Sequence, residues 1–337
     1  MRLSFDEIAG TLERILAGRG CCGAQARKVA CEMTRNSLEG IYSHGVNRFA
    51  RLVRNIDEGI VKPNVMPEKV NGFGAIENYD GGLGLGITNA WFCMDRAIEL
   101  AREHGIGLVA IRNTNHWLRA ATYGYQACDA GMAAICFTNT MPNMPTWGAQ
   151  DSRIGNNPLV FAFPRKGGHV IADMAMSQFS YGALEVARLA GRQMPIDAGF
   201  DRNGELTRDP DEVIATQRIL PTGYWKGAAL SFLLDTFAGC LSLGNTVAGV
   251  GRLEGDEHGV SQVFMAIDYQ KIAPAGQADA ILEDAVQNLL GSKPAKEGDR
   301  IIYTGQLTDE TRERNLKEGI PVDESVWKTI MTLADKD

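Results

Sequence analysis

The spacing of apolar residues changes period part-way along the chain, and that change restricts the fold to a mixture of helix and sheet laid out in separate runs. Ser4-Phe5-Asp6-Glu7 is a capping box, in which a hydroxyl and a carboxylate three residues apart satisfy free amides at a helix start. Phe5, Ile8, Leu12, Ile15 and Leu16 then recur at helical spacing until Gly18 and Gly20 interrupt them. Further helices are expected over residues 24–39 and from 43 to about 58, where Gly59 supplies a stop. From residue 69 the pattern shortens into strands over 69–73, 75–79, 107–112, 132–138, 159–164 and 170–173, with helices over 87–103 and 120–130. Residues 191–222, rich in Gly, Pro and charge, read as a long excursion. A helix over 226–243, a strand over 261–267, a helix over 279–290 and two tail helices around Gly319-Ile320-Pro321 complete the reading. The expected organisation is a mainly helical lobe from 1–68 with about 275–337, and a strand-rich α/β core over 69–274.

At 337 residues, 45% hydrophobic and 22% charged, the chain can bury a substantial core. A formal charge of −7 with no clustered Lys and Arg argues against nucleic acid as a partner. No run approaches the length of a membrane span, and acids stand in the first residues where a signal peptide needs a basic and then apolar run, so a cytoplasmic protein is expected. The seven cysteines form no C-x-x-C pair and read as reduced, small, buried hydrophobes.

Glycine fingerprints for phosphate are missing. Gly82-Leu83-Gly84-Leu85-Gly86 and Gly105-Ile106-Gly107 come nearest, and neither has the dinucleotide spacing. More informative is Ser43-His44-Gly45-Val46-Asn47-Arg48. Ser43 is expected to cap a helix whose first turn carries His44 and whose next turn carries Arg48 on the same face. The helix dipole and the guanidinium both disfavour an imidazolium and both attract a carboxylate. A 2-oxo acid bound there would screen that repulsion and push His44 toward its proton-donating form. The same residues also fit a helix-start histidine bonded to backbone beside a surface cation. His116 follows a strand, as do Thr138-Asn139, and each can hydrogen-bond a substrate oxygen or serve a plain turn. Asp173 after a strand suits ribose hydroxyls, and Lys226 near a helix start suits pyrophosphate. No metal is expected, because His44 and His116 lack a third ligand at a recognisable spacing.

Taken in order, Tyr42-Ser43-His44-Gly45-Val46-Asn47-Arg48-Phe49, Asp95-Arg96-Ala97-Ile98-Glu99-Leu100, Asn115-His116-Trp117, Trp147-Gly148-Ala149, Arg153-Ile154-Gly155, Phe179-Ser180-Tyr181-Gly182, Arg188-Leu189-Ala190-Gly191-Arg192-Gln193 and Gly223-Tyr224-Trp225-Lys226-Gly227 resemble the malate/L-lactate dehydrogenase family over essentially the whole chain. The resemblance implies a mixed-sheet, non-Rossmann, NAD(P)-binding α/β fold and a homodimer. It implies an oxidoreductase that reduces a small 2-oxo acid with NADH, NADPH being the alternative, and with His44 as proton donor. It implies substrate contacts from Ser43, Arg48, His116, Thr138 and Asn139. Cofactor contacts are implied for His169, Val170, Ile171, Ala172, Asp173, Met174, Ala175, Met176, Trp225, Lys226, Gly305 and Gln306. The rivals are a malate-, lactate-, ureidoglycolate- or cyclic-imine-acid dehydrogenase of the same family, and a catalytically silent ligand-binding homologue. The chain departs from the family at Thr304-Gly305-Gln306-Leu307, at Leu52, at Trp117-Leu118 and at Met141-Pro142-Asn143, the last where substrate choice is expected to be set.

Overall fold

In the computed structural model, which describes residues 1–274 and 276–334, the elements follow in the order β1 (Arg2–Leu3), α1 (Phe5–Gly18), α2 (Gly23–Leu38), α3 (Phe49–Asp57), β2 (Glu68–Phe73), β3 (Ile76–Asp80), α4 (Gly86–His104), β4 (Ile106–Thr114), α5 (Ala121–Asp129) and β5 (Ala133–Thr138). The order continues with β6 (Met144–Pro145), β7 (Ser152–Ile154), β8 (Leu159–Phe163), β9 (Val170–Met174), α6 (Tyr181–Leu189), β10 (Gly199–Phe200), β11 (Leu206–Thr207), α7 (Pro210–Thr216), α8 (Trp225–Ser242) and α9 (Val247–Val250). β12 (Val260–Ile267), α10 (Gln277–Leu290), α11 (Gln306–Glu318), β13 (Ile320–Pro321) and α12 (Glu324–Ala334) close it. Residue 275, where one lobe boundary is expected, and the tail 335–337 lie outside the described residues.

One seven-stranded mixed sheet, ordered β2-β3-β4-β12-β5-β8-β9, organises the core. Only β3 and β4 run parallel; the other neighbours are antiparallel. Side chains alternate between the two faces. Val109 and Ile111 of β4 and Phe264 of β12 pack with Met94 and Ile98 of α4 and Tyr123 of α5. Ala110, Phe137 and Val263 pack on the other face with Leu234 and Ala238 of α8 and Leu184 of α6. A separate cluster joins α1, α2, α3 and α12 through Leu12, Leu16, Met33, Phe49, Trp327 and Ile330. β1 pairs with β13, Leu3 opposite Ile320, and so ties the start of the chain to its end.

Two expectations are corrected. Residues 191–222 are not one loose excursion: they hold the β10–β11 hairpin and α7, and Met194, Ala198, Val213 and Ile219 are buried against α6. All seven cysteines are free, but Cys22 and Cys240 are exposed and Cys31 is half-buried, leaving four buried. Among the described residues no helix is long and apolar enough to cross a membrane, and no group of three or more acidic, His or Cys side chains could hold a metal.

Candidate active site

β4 and β5 end, and β8 and β12 begin, at the same edge of the sheet, because Val260 lies opposite Thr114, Gln262 opposite Thr138 and Phe137 opposite Leu159. The segments that leave these strand ends therefore converge. They enclose a cleft of about 480 Å³ lined by Ser43, His44, Arg48, His116, Thr138 and Asn139, which are all six residues expected to touch substrate.

The approach to His44 differs from the expectation. Ser43 does not cap a helix; Tyr42–His44 and Val46–Arg48 are two separate 3₁₀ turns, and α3 begins only at Phe49. Packing against α2 is the cause. A Cβ at Gly45 would stand 2.9 Å from Met33 O, so the chain crosses α2 there at a distance that only glycine allows. The broken turns are satisfied from α2 instead: Asn36 Nδ2 donates to His44 O (2.9 Å) and Val46 N–H donates to Ser37 Oγ (2.9 Å). Ser43 Oγ sits 3.0 Å from His44 Nδ1, which leaves Nε2 as the ring nitrogen without a partner among the described residues.

The His44 and His116 rings stack, with centroids 5.7 Å apart and planes 25° from parallel. Leu118 N–H donates to His116 Nδ1 (2.9 Å), which places the proton of a neutral His116 on Nε2. Leu118 holds φ 64°, a backbone strain that makes this turn. Burial, then the neighbouring charges of Arg48 and Arg119, lower His44 to about 4. Burial, followed by Arg48, His44 and Arg51, holds His116 well below the usual imidazole range. Both rings are therefore neutral near pH 7. The helix dipole is not the reason, as α3 starts five residues after His44.

Two arginines face this cleft, and they are not equivalent. Arg51 makes a two-point contact with Asp256, which Asn55 also approaches at 3.1 Å. The Arg48 side chain makes no hydrogen bond or ion pair among the described residues, although the charges of Glu257 and Asp256 attract it, so its guanidinium is the one left open to an incoming carboxylate. Asn139, by contrast, has no donor to offer: Nδ2 is spent on Asp235 Oδ1 (2.9 Å) and Asn245 O (2.7 Å), and Oδ1 accepts from Ser261 N–H (2.8 Å). Thr138 Oγ1 is likewise directed at Asn139 O and Ser261 O. Both residues form the wall of the cleft with their donors already committed.

The expected cofactor segments also come together. β9 is an edge strand, and Ile171 N–H donates to Thr304 O (3.1 Å) while Thr304 Oγ1 donates to Ile171 O (2.6 Å). Gly305 has φ 103°, and a Cβ there would lie 2.8 Å from His169 O, a close approach that glycine alone permits. At the other end of β9, Thr222 N–H donates to Met176 O (2.9 Å), bringing Trp225 and Lys226 at the start of α8 alongside. A second cavity of about 840 Å³ runs beside this edge and is lined by Arg119, Thr122, Tyr125, His169, Asp309 and Arg312. Of the twelve residues expected at the cofactor only His169 lines this cavity, while the strand from His169 to Met174 beside it spans roughly 17 Å at strand spacing. Several expected side chains are occupied. Ile171 and Met176 are buried in core clusters, Asp173 Oδ2 accepts from Ala121 N–H (2.8 Å), and Gln306 bonds Tyr303 N–H and Glu310. What this stretch offers a nucleotide is chiefly backbone, Ala172, Met174 and Lys226.

Sequence reasoning missed Glu257, Gln262, Asn156 and Tyr181 in the cleft, and Arg119, Tyr125 and Arg312 in the adjoining cavity. Tyr181 stands in the segment Phe179-Ser180-Tyr181-Gly182, but no local motif marks the others; only the fold brings them to these places.

The profile of the malate/L-lactate dehydrogenase family matches residues 3–331. The chain belongs to that family. It is 44% identical over 333 residues, 99% of its length and all of the other protein, to a 2,3-diketo-L-gulonate reductase of Salmonella newport strain SL254. Its fold matches the malate dehydrogenase of Pyrococcus horikoshii OT3 with a TM-score of 0.90 at 29% identity, covering 100% of this chain and 95% of that one. It also matches the Δ1-piperideine-2-carboxylate reductase of Pseudomonas syringae pvar. tomato with a TM-score of 0.88 at 24% identity, covering 99% of each chain, a likeness of fold. As a member of this family the chain is an oxidoreductase acting on the CH–OH/C=O pair, and its mixed-sheet fold is the one seen in those dehydrogenases. A nicotinamide nucleotide is the cofactor type of the family.

Proposed function

We propose that this protein reduces a small 2-oxo acid, foremost 2,3-diketo-L-gulonate, using NADH, with His44 as proton donor. The observation that carries the reading is the unpaired Arg48 guanidinium in the same cleft as two stacked, neutral imidazoles. Arg48 holds the substrate carboxylate. His116, locked with its proton on Nε2, donates a hydrogen bond to the oxygen beside the reacting carbon. Bound nicotinamide supplies the hydride to that carbon. Neutralising Arg48 removes one of the charges that depress His44, so substrate binding raises its proton affinity at the step that needs a proton. His44 then gives up the Nε2 proton, and Ser43 Oγ accepts from the remaining Nδ1–H.

His169 to Met176, Trp225, Lys226, Gly305 and Gln306 form the cofactor rail in this reading, supported by the contacts of Thr304 with β9. The chain works as a homodimer. Support comes from α8, which is apolar around most of its circumference and leaves Trp225 61%, Phe232 58% and Phe237 52% exposed. Seven free thiols support a reducing, cytoplasmic location.

Initial rates of NADH and NADPH oxidation with 2,3-diketo-L-gulonate, oxaloacetate, pyruvate and Δ1-piperideine-2-carboxylate test the proposal. The highest kcat/KM is expected for 2,3-diketo-L-gulonate with NADH. Faster turnover of another acid would reassign the substrate. NADH binding by fluorescence without oxidation by any of them would make the protein a silent ligand binder.

A further inference from the structure

Glu257 is unaccounted for by the chemistry above, yet it stands in the same cleft as Arg48 and His44. The loop between α9 and β12 fixes its position. Asp256 anchors that loop to α3 through Arg51 and Asn55, and its Oδ1 also accepts from Glu257 N–H (2.8 Å). The Glu257 side chain crosses to the strand-end segment after β5, where Oε2 accepts from Met141 N–H (2.8 Å). Its second oxygen, Oε1, makes no hydrogen bond among the described residues and is not among the buried polar atoms closed off from solvent. It is an open acceptor on the cleft surface.

Two oxygens behind this surface are also unpaired, but they are closed off from solvent. Gln262 Nε2 donates to Asn115 O (3.1 Å), and its Oε1 is left without a donor. Asn143 donates through Nδ2 to Asn156 Oδ1 (2.8 Å), and its own Oδ1 is likewise unpaired. The cleft surface thus combines the Arg48 guanidinium with one open carboxylate oxygen, that of Glu257. A ligand that completes it carries an anionic end for Arg48 and a hydrogen-bond donor for Glu257. Burial raises the Glu257 carboxyl above the usual range, while the Met141 N–H, Arg48 and Arg51 act to lower it, and in its ionised form it repels a second carboxylate in the cleft.

We infer that Glu257 is a specificity-determining residue, whose free carboxylate oxygen accepts from a hydroxyl on the substrate chain beyond the oxo acid and disfavours substrates with a second anionic group. The inference rests on the 2-oxo acid reading and sharpens it to a hydroxylated monocarboxylate. Met141 is part of the same device, because its N–H orients the carboxylate. This accounts for a role at Met141-Pro142-Asn143 that depends on backbone as much as on side chain.

Glu257→Gln tests it, since the amide oxygen keeps the Met141 contact while the free oxygen becomes a donor and the charge is lost. The readout is a ratio of kcat/KM values in one enzyme. Relative to pyruvate, 2,3-diketo-L-gulonate should fall about 10- to 100-fold, the weight of one charge-assisted hydrogen bond, while oxaloacetate should rise. Glu257→Asp, a shorter acid, keeps the charge: it should lose the preference for the hydroxylated substrate and still disfavour oxaloacetate. If E257Q shifts all three substrates by one common factor, or none, the inference is overturned while the 2-oxo acid reading stands. If wild-type protein reduces none of the three, that reading falls and this one with it.

Discussion

Replacing Arg48 by Gln should separate substrate binding from proton delivery in one variant. Arg48 is the cleft guanidinium without a protein partner, so its loss leaves a substrate carboxylate unpaired in a largely desolvated site. Truncating one side of such a charge pair costs about 2–5 kcal/mol, a rise in KM of roughly 30- to 4000-fold. A second effect has the opposite direction. Burial is the first cause of the low His44 value of about 4 and Arg48 the second, so R48Q should raise the free-enzyme value while burial keeps it below an ordinary imidazole. Reduction needs protonated His44, so kcat/KM falls as pH rises through the free-enzyme value, and in R48Q that limb should sit at higher pH. In wild type the limb in kcat should also lie above the limb in kcat/KM, because the bound carboxylate already offsets Arg48. Initial rates of NADH oxidation across pH 4–8 measure all three quantities. A KM little changed, or a limb that stays put or moves to lower pH in R48Q, would refute the assignment of Arg48 as carboxylate anchor and His44 modulator.

Three other outcomes follow from particular contacts. Glu39→Gln leaves Arg119, whose side chain is 5% exposed, without its carboxylate, and should cost about 3–5 kcal/mol, seen as a fall in Tm of roughly 5–15 °C; the double variant E39Q/R119M should recover much of it. Gly305→Ala forces a Cβ against His169 O at φ 103° and should weaken NADH binding about tenfold or more by fluorescence titration, strain of 1–3 kcal/mol being set against cofactor contact. Phe237→Glu on the exposed face of α8 should convert a dimer to a monomer in light scattering after size exclusion, and an unchanged mass would remove α8 from the interface.

Much of the architecture could be read from local pattern. α1 begins where the capping box says, Ser4 Oγ accepting from Glu7 N–H, and the strands of the large sheet fall within a few residues of their expected bounds. The failure at Ser43 is instructive because every local signal for a helix start is present there. What overrides it is contact with α2, whose Asn36 and Ser37 satisfy the backbone that a continuous helix would have satisfied itself. The cleft was legible at its stacked imidazoles, His44 and His116, since both stand at the ends of elements. Glu257 was invisible because it acts across 116 residues of sequence on Met141, and the Glu39–Arg119 pair because it joins α2 to a turn 80 residues later. Asn139 shows the reverse error: its position was foreseeable, but its commitment to Asp235, Asn245 and Ser261 depended on three segments the local pattern could not bring together.

In this mechanism the His44 imidazole hands a proton to the substrate oxygen. Single-turnover reduction of 2,3-diketo-L-gulonate by His44→Ala, beside its NADH binding curve, tests it most directly. Loss of a positioned general acid should slow the step about 10²- to 10⁴-fold while NADH affinity stays near that of wild type. Reduction at close to the wild-type rate would contradict the account.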